Sequence, residues 1–114
     1  MPIAAITSIS NTDVGFQWFT EKGKRRHEST IRWTDVISVT TFKRDMFAYD
    51  LICIKIEARD QEAVEFDEED VNWQEFVSVL PLRLPGCRPW GDWFHEVAFP
   101  AFQQNETSLY RNEK

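Results

Sequence analysis

Four carboxylates stand side by side in Asp67-Glu68-Glu69-Asp70, with Glu65 and Glu75 close by in the chain. Hard divalent cations take oxygen ligands of this kind. A calcium loop, however, spaces its Asp and Asn ligands around a glycine, and this run has neither feature. Carboxylates just ahead of a helix also complement its dipole and solvate the surface. The run therefore reads as helix-start electrostatics together with an acidic patch facing a partner. The opposite charge gathers in Lys22, Lys24, Arg25 and Arg26, which could hold a phosphate or an acidic group. With no aromatic interleaved to stack bases, and with Lys and Arg serving to blunt strand edges, this cluster reads first as a solvated turn.

Cys87 and His95 could pair as nucleophile and base, but no orienting third group is evident. Cys87 sits in a proline-flanked loop, and Asp92 and His95 share what looks like an exposed helical face. No catalytic residue is assigned on the requirements for such a site. Two isolated Cys and two isolated His supply no CxxC or HxxxH spacing for zinc, so no metal is expected. No cofactor is expected either, because GxxxxGK(S/T), GxGxxG and GxSxG are all absent. Lys43-Arg44-Asp45 and Asp50 bracket a turn that an Arg–carboxylate pair would rigidify; a recognition spot is the less favoured reading of the same turn.

Nineteen acids against thirteen Lys and Arg leave a net charge of −6. Phosphate neutralisation dominates affinity for nucleic acids, so this balance argues against a duplex binder. The charge is lopsided. Residues 22–32 hold five cations against Glu28, a balance of +4, whereas residues 57–75 hold nine acids against Arg59, a balance of −8. Five Trp and nine Phe supply most of the burial in a chain of single-domain size. Cys53 and Cys87 make no disulfide framework, and Cys53 reads as a small core residue. No leader pattern and no apolar run of membrane-spanning length is seen, which points to a cytoplasmic protein.

These residues must be positioned by a run of strands followed by helices. Residues 3–10 suggest a first strand, 14–21 a second with Phe16, Trp18 and Thr20 on one face, and 26–32 a third beyond a Gly23 hairpin. Trp33-Thr34-Asp35 forms a corner. Residues 37–43 resume with Ile37, Val39 and Thr41 on one face. After a turn over 45–50, Leu51 to Ala58 alternates most cleanly, with Ile52, Ile54 and Ile56 inward. Ala63 to Phe66 is a short sixth strand. Asn72 with Glu75 matches a capping box, and Trp73, Phe76, Val77 and Leu80 mark one helical face. Pro81 should end or kink that helix. A second short helix opens at Pro89 and carries Trp90, Trp93, Phe94 and Val97. Residues 101–110 read as an aromatic-anchored tail and 111–114 as a frayed end.

Strands in a run with helices after them indicate α+β: an antiparallel sheet or partly open barrel of about six strands, capped by a C-terminal helix. The strand order, the run Ile31 to Val36 and the capping helix resemble the pleckstrin-homology-like superfold over residues 14–84, leaving 85–114 as a proline- and aromatic-rich helical tail of the same single domain. The resemblance implies a binding module and not an enzyme; small acidic bacterial domains of this look are also similar to immunity proteins. The function expected is a protein-interaction module of adaptor or immunity type. Its basic partner would meet Glu65, Asp67, Glu68, Glu69, Asp70 and Glu75, with Trp73, Trp90 and Trp93 as anchors. The alternative is an anionic-ligand or lipid-headgroup binder using Lys22, Lys24, Arg25 and Arg26. Net acidity makes a membrane surface the less favoured partner.

Overall fold

The computed structural model describes residues 6–98 and 106–112. Among these, seven strands, a 3₁₀ turn and two helices follow in order: β1 (Ile6–Asn11), β2 (Gly15–Lys22), β3 (Arg25–Arg32), the turn Trp33–Asp35, β4 (Val36–Asp45), β5 (Asp50–Ala58), β6 (Val64–Asp67), α1 (Trp73–Arg83), α2 (Trp90–Ala98) and β7 (Glu106–Arg111). The α+β class matches the sequence pattern. The strands form two antiparallel sheets, β1-β2-β3 and β6-β5-β4-β7, and not one closed barrel. Val71 stitches them on one side. Its carbonyl accepts from Ile9 N at 3.1 Å and its amide donates to Thr7 O at 2.9 Å, which occupies the open edge of β1.

Strands β2 and β5 turn Phe16, Trp18, Ile54 and Ile56 into the space between the sheets, and β3 adds Ile31. Phe16 of β2 is the hub there. Its ring lies 5.0 Å from Trp33, 5.2 Å from Phe76 of α1 and 6.2 Å from Phe66 of β6, so one side chain joins both sheets, the corner and the helix. Ile9, Ile31, Ile54, Ile56, Val77 and Leu80 complete this core. Trp33 satisfies its indole N–H on Thr12 O at 2.9 Å, as buried indoles usually do. At Gly15, β2 and β3 approach so closely that a Cβ would sit 2.3 Å from Ile31 O; no larger residue fits without moving backbone.

Several expectations are corrected by the tertiary arrangement. Residues 106–111 form β7 and not a tail with a frayed end, since β4 offers them a free ladder and Leu109, at the register shift, joins the core. Ile37 is only half-buried. A register shift between Val36 and Ser38 turns it off the core face, where its carbonyl accepts from Asn112 N at 2.7 Å. Helix α1 does not end at Pro81 but runs on to Arg83. Pro81 forfeits one bond to the Val77 carbonyl, and the final turn continues because Leu80 and Leu84 are both buried beneath it, joined by Leu84 N to Leu80 O at 2.9 Å. The capping box is not formed. Asn72 has φ 70° and spends its side chain on Ile9 O at 3.0 Å, so the attachment to β1 wins over the local cap.

Candidate functional site

The acidic run is a folded loop whose carboxylates are held by its own backbone. Asp67 Oδ1 accepts from Glu69 N, and Asp70 Oδ2 from Asp67 N, both at 2.9 Å. Short carboxylate side chains favour such local closures. Glu68 reaches across to β5, where Oε1 accepts from Ile52 N at 3.1 Å and its amide donates to Ile52 O at 3.1 Å. Tyr49 donates its hydroxyl to Glu69 Oε1 at 2.9 Å. That bond holds the Tyr49 phenol above its usual pKa. Glu65 is taken by Arg44 at 2.9 Å. Asp67, Glu68, Glu69, Asp70 and Glu75, by contrast, form no ion pair among the described residues. Glu68, Asp70 and Glu75 meet around a shallow cleft at the start of α1, lined also by Asn72, Trp73 and Gln74.

Within this loop Asp70 is half-buried, and burial pushes its carboxyl up to about 6, with Asp67 and Glu69 adding to the rise and the bond from Asp67 N opposing it. The native state thus holds this proton more tightly than the unfolded chain. Its stabilising contribution is complete below the unfolded value near pH 4 and is lost as pH rises through about 6. The stability of the wild type minus that of Asp70→Asn, followed by urea unfolding, should therefore fall between about pH 4 and 6, by about 1 kcal/mol once the full shift is discounted for solvent screening of a half-exposed carboxylate. A flat difference across that window would show Asp70 to be solvated like any surface carboxylate.

The three tryptophans offered as anchors separate. Trp73 and Trp93 are buried in the core, so neither presents its ring to a partner. The Trp73 indole N–H has no acceptor among the described residues. Trp90 is half-buried and stacks on Phe94 at 4.7 Å, on a different element from the acidic loop. Phe99 and Phe102 of the aromatic tail lie outside the described residues.

On the β2–β3 hairpin, Lys22, Lys24 and Arg25 are exposed, and Gly23 takes φ 62° at the turn. Arg26 turns back onto its own hairpin, 3.7 Å from Glu21 and 4.3 Å above the Phe19 ring. Phe19 is therefore the aromatic neighbour that spacing along the chain conceals, because it pairs across strands. Cys87 is buried and its thiol is pushed up to about 11 by burial, with Sγ 3.8 Å from Arg88 O. Asp92 belongs to Arg88 at 2.7 Å. Burial likewise raises the Cys53 thiol to about 12. Among the described residues no three His, Cys, Asp or Glu side chains converge as a metal site requires, and no helix is long and apolar enough to cross a membrane.

No family model, curated protein or solved structure matches this chain. Its site must be read from its own geometry.

That geometry adds residues within the turn that Lys43-Arg44-Asp45 and Asp50 bracket. The β4–β5 loop is Met46-Phe47-Ala48-Tyr49, with Phe47 97% exposed and Met46 and Tyr49 at 38% and 45%. The expected Arg44–carboxylate brace is not made to Asp45 or Asp50. Lys43, only 1% exposed, pairs with Asp50 at 3.4 Å and donates to Ala98 O at 3.0 Å, while Arg44 points to Glu65. The signal available in the sequence was Phe-Ala-Tyr between two aspartates, where a hairpin loop usually carries Gly or Asn.

Proposed function

We propose that the protein is a non-enzymatic interaction module that docks a basic protein partner on the acidic cleft at the start of α1. The observation that carries this reading is the set of carboxylates Asp67, Glu68, Glu69, Asp70 and Glu75, none ion-paired among the described residues, four of them held in place by hydrogen bonds. Charges fixed before a partner arrives lose little freedom on binding. They steer association and reject partners of like sign. The fold reading behind it is a pleckstrin-homology-like module of adaptor or immunity type in the cytoplasm. In its favour are six strands followed by a helix; β7 then returns to pair with β4 after α2.

The test is affinity capture with the full chain as bait, comparing wild type with Glu68→Lys/Glu69→Lys and with Glu75→Lys. Glu75 is exposed and its carboxylate makes no hydrogen bond or ion pair among the described residues, so its reversal leaves the fold intact. Basic proteins held by the wild type should fall roughly tenfold with either reversal, and further as salt is raised. Equal capture by all three baits would overturn the reading. The basic hairpin makes the contrary prediction, that the chain floats with anionic liposomes at low salt and that Lys22→Glu/Arg25→Glu abolishes this.

A further inference from the structure

We propose that Phe47 is the anchor of this interaction surface, entering an apolar pocket ringed by Lys or Arg on a protein partner. The inference rests on the acidic docking surface above and adds to it the residue that is inserted and the shape that receives it.

A single exposed hydrophobic residue is ordinary on a soluble surface. Phe47 differs in its backbone. It has φ 74°, and Ala48 N donates to Met46 O at 3.0 Å, two residues back, across it. This is the rarer hand of the γ-turn, strained for any residue with a side chain. Glycine would occupy the position without cost, yet the chain places there one of its largest apolar groups. Backbone strain of this kind persists where the surroundings over-determine it, and it concentrates at functional sites.

The surroundings do over-determine it. Asp45 Oδ1 accepts from Phe47 N at 2.8 Å, and Met46 N donates to Tyr49 O at 2.9 Å. Tyr49 is tied to Glu69, and the base of the hairpin is locked by the buried Lys43–Asp50 pair. The loop is thus set before any partner arrives. A rigid aromatic projecting from a set loop is the kind of group that dominates binding energy when it fills a pocket.

Charge selects the occupant. Asp45 bonds the Phe47 amide itself and Glu69 bonds the neighbouring Tyr49, with Glu68 alongside on the Ile52 backbone. Of the nearby cations, Lys43 is buried and Arg44 is taken by Glu65. A phenyl group rimmed by carboxylates is repelled from an anionic bilayer. Net charge −6 opposes a second copy at long range, and the basic residues 22–32 of such a copy are what the dimer arm of the test below examines. A protein pocket with a basic rim satisfies both features.

The experiment places p-benzoylphenylalanine at position 47 of the full chain and irradiates it in a lysate of the cells that make the protein, with the same photoprobe at the exposed Leu82 as control. Unlabelled wild type, Phe47→Gly and Glu68→Lys/Glu69→Lys are added as competitors. The position-47 probe should give one discrete adduct whose attached peptide is apolar and flanked by Lys or Arg, and the Leu82 probe should not give it. Wild type should suppress that adduct, and Phe47→Gly should need at least tenfold more protein to do so. Phe47→Gly should melt no lower than wild type, because glycine relieves the turn; this separates a binding loss from unfolding. If Phe47→Gly competes like wild type while the charge-reversed chain does not, the anchor is wrong and the acidic surface stands. If the charge-reversed chain competes like wild type, the acidic surface fails and the basic-rimmed pocket fails with it. Phe47-dependent flotation on phosphatidylcholine–phosphatidylglycerol vesicles, or a Phe47-dependent dimer in size-exclusion light scattering, would each overturn the proposal in favour of that occupant.

Discussion

Phe16→Ala is expected to lower the free energy of unfolding by about 3–5 kcal/mol, the range for truncating a fully buried phenylalanine. Phe16 is 1% exposed and touches Trp18, Trp33, Phe66 and Phe76 at centroid distances of 5.8, 5.0, 6.2 and 5.2 Å. Those rings come from β2, the 3₁₀ turn, β6 and α1, so the cavity would open where the two sheets and the helix meet. Neighbouring rings are too rigid to collapse into it, and this sets the cost towards the upper end. Domains of this size are stable by only about 5–15 kcal/mol, so the variant should be substantially unfolded at modest urea concentrations. Urea unfolding followed by tryptophan fluorescence reads this directly. A loss below about 1 kcal/mol would mean that the sheets hold together without this hub.

The second large effect concerns the buried pair Lys43–Asp50. Asp50→Asn should cost about 3–5 kcal/mol, because it leaves an ammonium that is 1% exposed without its carboxylate. Lys43→Met should cost less, about 1–2 kcal/mol, since Asp50 retains some contact with water and a flexible apolar chain replaces the lysine stem. Only Lys43→Met also loses the coupling between the β4–β5 hairpin and α2, which runs through Lys43 Nζ to Ala98 O at 3.0 Å. The order of the two costs is the discriminating result. If Lys43→Met proves the more damaging, the bond to the end of α2 matters more than the charge pair.

Lys43 also illustrates why parts of this fold are hidden from a reading along the chain. Its position in β4, two and four residues after Thr41 and Val39, puts it on the inward face by simple alternation. A lysine at such a place is read as a strand end in water, because burying an ammonium is costly unless a partner waits. The partners are Asp50 and the last carbonyl of α2, seven and 55 residues away. The Pro81 and Asn72 corrections share this logic. A local rule is outweighed when Leu84 packs under the last turn of α1, or when Ile9 O offers Asn72 a bond 63 residues distant. Strand β7 was illegible for a related reason. Glu-Thr-Ser-Leu-Tyr-Arg buries only Leu109, and what makes it a strand is the free edge of β4.

At the candidate site the charge was legible and its arrangement was not. Asp67 to Asp70 announce an acidic loop at the start of a helix, and the helix begins at Trp73 as the spacing of Trp73, Phe76, Val77 and Leu80 requires. That Glu68 would bond the Ile52 backbone and Glu69 the Tyr49 hydroxyl depends on β6 lying beside β5. Phe47 was legible only as an oddity of composition in a turn. Its backbone strain and exposure appear once the β4–β5 register is set from Asp45↔Asp50.

By itself, then, the sequence determined the α+β class, most of the strands, the apolar faces of β2, β5 and α1, and the separation of charge along the chain. Each of these follows from periods of 2 and 3.6 residues and from local turn chemistry, which neighbours in sequence are enough to dictate. Only the tertiary structure decided that the strands divide into two sheets, that β7 closes one edge and Val71 another, that Lys43 lies inside, and that Phe47 stands out from the β4–β5 loop. Those outcomes depend on which distant backbone groups and charges meet, and burial makes such meetings obligatory without any trace in local pattern.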